Sequence, residues 1–126
     1  MIVQGLGIDL VEVDRISSLM ERTGETFKNR VFTPDEIAYC DSNANPAIHY
    51  AARWAAKEAV AKAIGTGFTE GVSWIEITVT RQANGAPGIH LIGKTAIIAR
   101  ERGIHRWLLA LTHTQTTAAA SAIALG

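Results

Sequence analysis

The sequence predicts an α+β domain in which a mostly antiparallel sheet carries one long packed helix. Three observations support this class: an alanine-rich helical segment mid-chain, alternating apolar segments at both ends, and a hairpin signal between them. The predicted order of elements is βαααββαββ. The length of 126 residues fits one domain, residues 1–126, because a chain of this size buries one modest core.

The first strand is predicted over residues 2–13, where side chains alternate between two faces. One face carries Leu6, Ile8 and Leu10, and the other carries Gly5, Gly7 and Asp9. Because glycine has no side chain, we expect room beside Asp9 for a bulky group to approach the backbone. The alternative is that Asp9 faces water or discourages pairing at a sheet edge.

Two shorter helices follow in the predicted order. Helical periodicity runs over residues 15–22 and breaks at Gly24. The second helix has a strong start: Thr33 is a natural N-cap, and Glu36 three residues later completes a capping box. It should end near Asp41, in a loop rich in Asn and Ser.

The long helix, about residues 47–64, is the most informative segment. Its apolar stripe at helical spacing comprises Ala52, Ala55, Ala56, Ala59, Val60, Ala63 and Ile64. Glu58 and Lys62 lie one turn apart along one edge, and Arg53 and Lys57 form a second pair near the other edge. A carboxylate and three cations on a closely packed helix could serve a metal ion and phosphates; an ordinary solvated amphipathic helix is the alternative.

The residue pattern in the second half of the chain predicts two hairpins separated by a short helix. The elements are a strand at residues 73–81, a turn at Asn84-Gly85, a strand at 88–92, a helix at 94–102, and strands at 106–112 and 117–125. His113 lies just past an apolar strand, between Thr112 and Thr114. A lone histidine there is often a satisfied, partly buried residue, but hydroxyls and an imidazole together also suit phosphate oxygens.

Composition excludes several classes of function. Basic and acidic residues number 12 each, so the charge indicates no polyanionic partner such as nucleic acid. We expect no membrane span and no signal peptide, and the single Cys40 suits a reducing, bacterial-type cytoplasm. The chain lacks GxGxxG, GxSxG, HExxH and paired CxxC motifs. Separated carboxylates with nearby cations remain, and they suit Mg²⁺. A metal nuclease is disfavoured, because its Glu and Lys usually lie two apart on a strand.

Several motifs in order resemble holo-acyl-carrier-protein synthase, the short trimeric type of the 4'-phosphopantetheinyl transferase family. They cover essentially the whole chain, and the segment Arg53-Trp54-Ala55-Ala56-Lys57-Glu58-Ala59 with Lys62-Ala63 is the most specific. The others are Gly7-Ile8-Asp9, Arg15-Ile16, Phe32-Thr33 with Glu36, Asn84-Gly85 with Pro87, and Leu111-Thr112-His113-Thr114. The resemblance implies a Mg²⁺-dependent enzyme. It would transfer 4'-phosphopantetheine from coenzyme A to a serine of apo-acyl carrier protein, release adenosine 3',5'-bisphosphate and support fatty acid biosynthesis.

The resemblance also implies roles for individual residues. Asp9 and Glu58 would be the Mg²⁺ ligands, and Lys62 would contact the pyrophosphate of coenzyme A. Arg53 and His113 would hold its phosphates, the 3'-phosphate included, with Lys57 as a further phosphate contact. Gly85 and Pro87 belong to the expected coenzyme-binding turn. The catalytic set would thus be Asp9, Glu58, Lys62 and His113.

Partners follow from the same resemblance. The family forms homotrimers with active sites between subunits, and the helix carrying Arg15 and Arg22 would dock the acidic carrier protein. Two positions depart from the usual pattern: Ala86 stands where a basic residue is common, and Thr112 where serine is common. The alternative function is a non-catalytic coenzyme A-binding or assembly module that keeps the fold.

Overall fold

Ten helices and strands form the fold in the computed structural model, which describes all 126 residues. They are β1 (Val3–Glu12), α1 (Val13–Thr23), α2 (Glu25–Val31), α3 (Pro34–Asp41), α4 (Pro46–Ile64), β2 (Ile77–Arg81), β3 (Pro87–Leu91), α5 (Gly93–Glu101), β4 (Arg106–His113) and β5 (Thr117–Leu125). The predicted α+β class is confirmed. No helix combines the length and the apolar character that crossing a membrane requires.

Two local predictions are corrected. The helix α2 was not predicted, because Phe27 and Val31 are its only apolar pair at helical spacing and Gly24 indicated only a break. Gly24 adopts a φ of 59° and joins α1 directly to α2. The segment Trp74–Glu76 forms a single 3₁₀ turn, so β2 begins later than predicted. The capping box is confirmed: the Thr33 amide donates to Glu36 Oε1 at 2.8 Å, and the Glu36 amide donates to Thr33 Oγ1 at 3.3 Å.

The strands form two antiparallel sheets rather than one. The larger has the order β1-β5-β4, and the hairpin β2-β3 forms the smaller. In the larger sheet Asp9 lies opposite Ala120 and His113 lies opposite Ala118. Both side chains therefore belong to the face that packs towards α4, where alternate alanines of β5 are buried.

Helix α4 lies directly on the glycine face of β1. A Cβ on Gly5 or Gly7 would overlap the carbonyl oxygens of Ala63 and Ala59, respectively. The bulky group that approaches the β1 backbone is therefore α4 itself. This close approach brings the C-terminal half of the helix, with its polar side chains, beside Asp9.

The opposite face of the larger sheet is uncovered in the single chain. Leu6, Ile8 and Leu10 are each 68% exposed, and Leu108 on β4 is 49% exposed. The same face carries Ser121 and Ile123 of β5, which pair with Ile8 and Leu6. An exposed apolar sheet face of this extent is typical of a surface that associates with another protein chain.

Candidate active site

The first part of the site lies where the C-terminal half of α4 meets β1. The Lys62 ammonium donates to Asp9 Oδ1 at 3.1 Å and to the Ile8 carbonyl at 3.0 Å. The Lys62 side chain is 50% exposed and that of Asp9 is 16% exposed, so the ion pair remains open to solvent on one side. The predicted grouping of Asp9 with Lys62 is thus present in the fold.

Glu58 lies close enough to Asp9 for their charges to interact, and the two residues form the carboxylate cluster of the site. Burial raises the pKa of the Glu58 carboxyl, and the Asp9 charge raises it further, whereas Lys62 and Arg15 oppose the shift. The negative charges of Asp9 and Glu58 repel each other, and a bound cation would reduce that repulsion. Their oxygens are the hard ligands that Mg²⁺ prefers, and Mg²⁺ commonly uses only one or two protein carboxylates. The residues present therefore fit Mg²⁺, although no set of three ligating side chains converges.

The second part of the site is a cationic cavity of about 240 Å³ at the N-terminal half of α4. Its lining combines Arg53 and His49 of α4 with Arg81 of β2 and His113 of β4. It also includes Tyr39, Gly85 and Pro87. Four predicted coenzyme-binding residues, Arg53, Gly85, Pro87 and His113, therefore meet in one cavity. No carboxylate lines it, which favours an anionic ligand.

The two arginines of this cavity are held by an aromatic ring rather than by acidic residues. The guanidinium carbon of Arg53 lies 4.3 Å from the centre of the Tyr39 ring, and that of Arg81 lies 4.7 Å from it. Arg53 is only 5% exposed, yet neither arginine forms an ion pair with a carboxylate. A buried guanidinium without an acidic partner is costly unless an anion compensates it.

The structure places Lys57 away from both parts of the site. Its ammonium contacts Glu36 Oε1 at 2.7 Å and donates to the carbonyls of Val31 at 2.6 Å and Trp74 at 3.0 Å. The Lys57 side chain is fully buried, so the ammonium has no path to a phosphate. The expected phosphate contact by Lys57 is therefore corrected to a core ion pair. Burial lowers the pKa of Lys57, and the Glu36 charge counteracts that shift.

The predicted partner helix α1 borders the carboxylate cluster. Arg15 and Arg22 are exposed, and the Arg15 guanidinium carbon lies 5.9 Å from the centre of the Trp54 ring on α4. Trp54 belongs to a partly buried series of neighbouring aromatic rings, which runs Phe27, Trp54, Trp74 and Phe68; the last three are stacked. The apolar rings and Arg15 together form a surface next to Glu58.

Three residues of the cationic cavity, Tyr39, His49 and Arg81, were not predicted. They lie on three different elements, and the only sequence signal was that His49 and Arg53 are one turn apart on a helix. Glu36 was predicted as a helix cap, but not as the partner of a buried lysine. It also accepts a hydrogen bond from the Val79 amide at 2.8 Å.

Comparisons with known proteins identify the family of the chain. The sequence model of the 4'-phosphopantetheinyl transferase superfamily matches residues 5–120. The chain belongs to this superfamily. A holo-[acyl-carrier-protein] synthase of Koribacter versatilis is 46% identical over 121 residues, which are 96% of this chain and 97% of that protein. The prediction of a transferase related to holo-acyl-carrier-protein synthase is confirmed.

Two solved structures share the whole fold. The synthase of Neisseria meningitidis aligns with a TM-score of 0.92 and 33% identity, and the alignment covers 99% of this chain and 100% of that chain. The synthase of Helicobacter pylori, solved in complex with coenzyme A, aligns with a TM-score of 0.84 and 26% identity. That alignment covers 95% of this chain and 99% of the other.

Proposed function

We propose that this protein transfers 4'-phosphopantetheine from coenzyme A to a serine of an apo-acyl carrier protein. The observation that carries the proposal is the division of α4 into two polar centres. Arg53 lines a cationic cavity, and Glu58, five residues later, joins the carboxylate cluster. Five residues of helix rise roughly 7.5 Å, so both centres can engage one molecule that carries phosphate at two separated positions. The synthase of Helicobacter pylori in complex with coenzyme A supports coenzyme A as that molecule.

Each polar residue has a role in this reaction. Asp9 and Glu58 would hold Mg²⁺, which, when bound, supplies Lewis-acid stabilisation of charge on the pyrophosphate. Lys62 already reaches Asp9 and would neutralise developing charge on the same phosphates. Arg53 and His113, with Gly85 and Pro87, would hold the nucleotide end in the cationic cavity. The catalytic set remains Asp9, Glu58, Lys62 and His113.

The nucleophile belongs to the partner protein. The serine oxygen forms a bond to the phosphorus that bears the pantetheine arm, and the bond from that phosphorus to the bridging oxygen breaks. Adenosine 3',5'-bisphosphate departs with the bonding electrons. The serine proton passes to a nearby base, for which either the Glu58 carboxylate or a water molecule is suited.

The exposed apolar sheet face supports a homotrimer with active sites between subunits. Leu6, Ile8 and Leu10 would otherwise leave three large side chains in water on adjacent positions of one strand face. The outward side chains of β5 are small or aliphatic, including Ala119 and Ser121, and allow close approach of a second sheet. Sedimentation equilibrium should give three times the mass of 13.5 kDa, and Ile8→Asp should yield a monomer.

The carrier protein would dock on α1 through the exposed cations Arg15 and Arg22, of which Arg15 lies near Glu58. Acidic residues of the carrier would pair with them, and the neighbouring aromatic series would contact its apolar side chains. A role in fatty acid biosynthesis fits such a carrier protein. The buried, unpaired Cys40 is consistent with function in the reducing cytoplasm.

Intact-mass spectrometry tests the proposal. An apo-acyl carrier protein is incubated with this protein, coenzyme A and Mg²⁺, with and without chelator. A mass gain of one phosphopantetheine arm that the chelator suppresses is the expected result. The absence of any gain across a panel of carrier proteins, with coenzyme A still bound, would favour the alternative of a non-catalytic coenzyme A-binding or assembly module.

A further inference from the structure

The first turns of α4 carry a histidine that the function described above does not use. The His49 ring lies 6.1 Å from the His113 ring, measured between ring centres, and 5.7 Å from the Tyr39 ring. All three residues line the cationic cavity. Neither ring nitrogen of His49 forms a hydrogen bond within the chain, and its backbone carbonyl accepts one from Arg53 Nη1 at 3.4 Å. Its imidazole is therefore free to bind a ligand in the cavity.

We propose that His49 is a second imidazole ligand to the phosphomonoester of the bound nucleotide, and that it takes up a proton when that phosphate binds. The proposal rests on the proposed function, because it assigns the cavity to the 3'-phosphorylated nucleotide end of coenzyme A. It identifies His49 as a determinant of specificity for nucleotides that carry this phosphate.

The charges around His49 explain the proton uptake. The groups that face it are Arg53 on its own helix, Tyr39 on α3, Arg81 on β2 and His113 on β4. Burial lowers the pKa of His49, and Arg53, His113 and Arg81 lower it further. In the free protein burial and the two arginines therefore favour neutral imidazole at His49 at pH 7.

A bound phosphate dianion opposes the positive potential that the two arginines produce at His49. Its charge compensates the two guanidiniums and favours the imidazolium form, which can donate a charge-assisted hydrogen bond to a phosphate oxygen. The carboxylates closest to this region do not offer the same compensation. Asp35 and Glu36 line a neighbouring cavity that shares Tyr39, Arg53 and Arg81 with this one, and Glu36 is already paired with the buried Lys57.

Titration calorimetry with adenosine 3',5'-bisphosphate tests the proposal at pH 7 in buffers of different ionisation enthalpy. The wild-type protein should take up protons on binding, and adenosine 5'-monophosphate, which lacks the 3'-phosphate, should bind with less uptake. In His49→Gln the proton uptake should fall, and the affinity for the bisphosphate should drop about tenfold, as for the loss of one charge-assisted hydrogen bond. His90→Gln is the matched control, since His90 is exposed on β3 outside this cavity, and it should behave as wild type.

The outcomes separate this inference from the proposed function. If His49→Gln binds the bisphosphate with unchanged affinity and proton uptake, the role of His49 is wrong while the cavity remains a nucleotide site. Equal proton uptake with the bisphosphate and the monophosphate in the wild-type protein also overturns it, and that comparison needs no variant. If the wild-type protein binds neither nucleotide, the proposed function fails and the inference fails with it.

Discussion

Two lysines on one helix form ion pairs of opposite character. Lys57 and Glu36 meet at 2.7 Å with side chains that are 0% and 1% exposed, and every neighbouring acceptor and donor is satisfied within the protein. Lys62 and Asp9 meet at 3.1 Å with side chains that are 50% and 16% exposed, beside a second carboxylate. The closed pair holds α3, α4 and the turn at Trp74 together, whereas the open pair retains oxygens and an ammonium for a ligand.

This difference shows that a charged residue in a helical motif can serve either the fold or the chemistry. The two roles are distinguished by what surrounds the charge. A closed pair contributes to stability and is sensitive to the loss of either partner. An open pair contributes little to stability, because solvent screens it, and is available for binding. The predictions below test this distinction.

Replacing the buried ammonium should have the largest effect. In Lys57→Met the Glu36 carboxylate stays buried without a cation, and we expect a loss of about 3–5 kcal/mol in the free energy of unfolding. The matched control is Lys62→Met, the same substitution on the same helix, which should change that free energy by less than about 1 kcal/mol. Urea unfolding of both variants measures the difference. Equal stability of the two variants would contradict the closed-pair interpretation.

Removing the Glu58 charge should impair transfer with the fold intact. In Glu58→Gln the carboxylate cluster loses one of its two proposed Mg²⁺ ligands, and we expect transfer to fall by at least about 100-fold. The control Glu70→Gln alters an exposed carboxylate that pairs with Arg102. It should retain wild-type transfer. Phosphopantetheinylation rates from intact-mass spectrometry provide the measurement, and full activity in Glu58→Gln would remove Glu58 from the site.

Reversing a charge on α1 should weaken carrier binding selectively. For Arg15→Glu we expect the KM for the carrier protein to rise about tenfold and the KM for coenzyme A to stay unchanged, because a like charge replaces an attractive one. Arg100→Glu on α5 is the control, since Arg100 is exposed on an element outside this surface. An unchanged carrier KM in Arg15→Glu would exclude α1 from the interface.

The smallest effect concerns stability in the presence of chelator. Because burial and Asp9 raise the pKa of Glu58 above its unfolded value, the folded protein holds this proton more tightly. The ionised carboxylate therefore opposes folding once the pH exceeds about 4.3, the ordinary pKa of glutamate. Glu58→Gln should melt a few degrees above wild type at pH 7, and the two melting temperatures should converge below pH 4. A wild-type protein that melts higher at pH 7 would contradict this expectation.

Local signals predicted much of the fold. The capping box at Thr33, the hairpin at Asn84-Gly85 and the extent of the long helix all depend on neighbouring residues, which sequence patterns describe well. Alternation in β1 identified its two faces but not which one is covered. The glycine face is covered, because only glycine lets α4 approach this closely, and the large apolar side chains face outward.

Residue spacing alone predicted the candidate site only within the long helix, and the resemblance to a known family supplied the residues from other segments, Asp9, Gly85, Pro87 and His113. Glu58 and Lys62 follow from their helical spacing, but Lys57 was misplaced because a single apolar stripe implies a free opposite face. Helix α4 has little free face: 13 of its 19 residues are buried, so a lysine off the stripe is enclosed as well. The cationic cavity draws Tyr39 and Arg81 from other elements, and such contacts between distant segments leave no local pattern.

The most direct test of the central distinction is the transfer activity of Lys62→Met, measured beside its free energy of unfolding. We predict that transfer to the apo-carrier protein falls by about 100-fold while stability stays within about 1 kcal/mol of wild type. Unimpaired transfer, or a loss of activity that only follows a loss of stability, would contradict the assignment of the open pair to the active site.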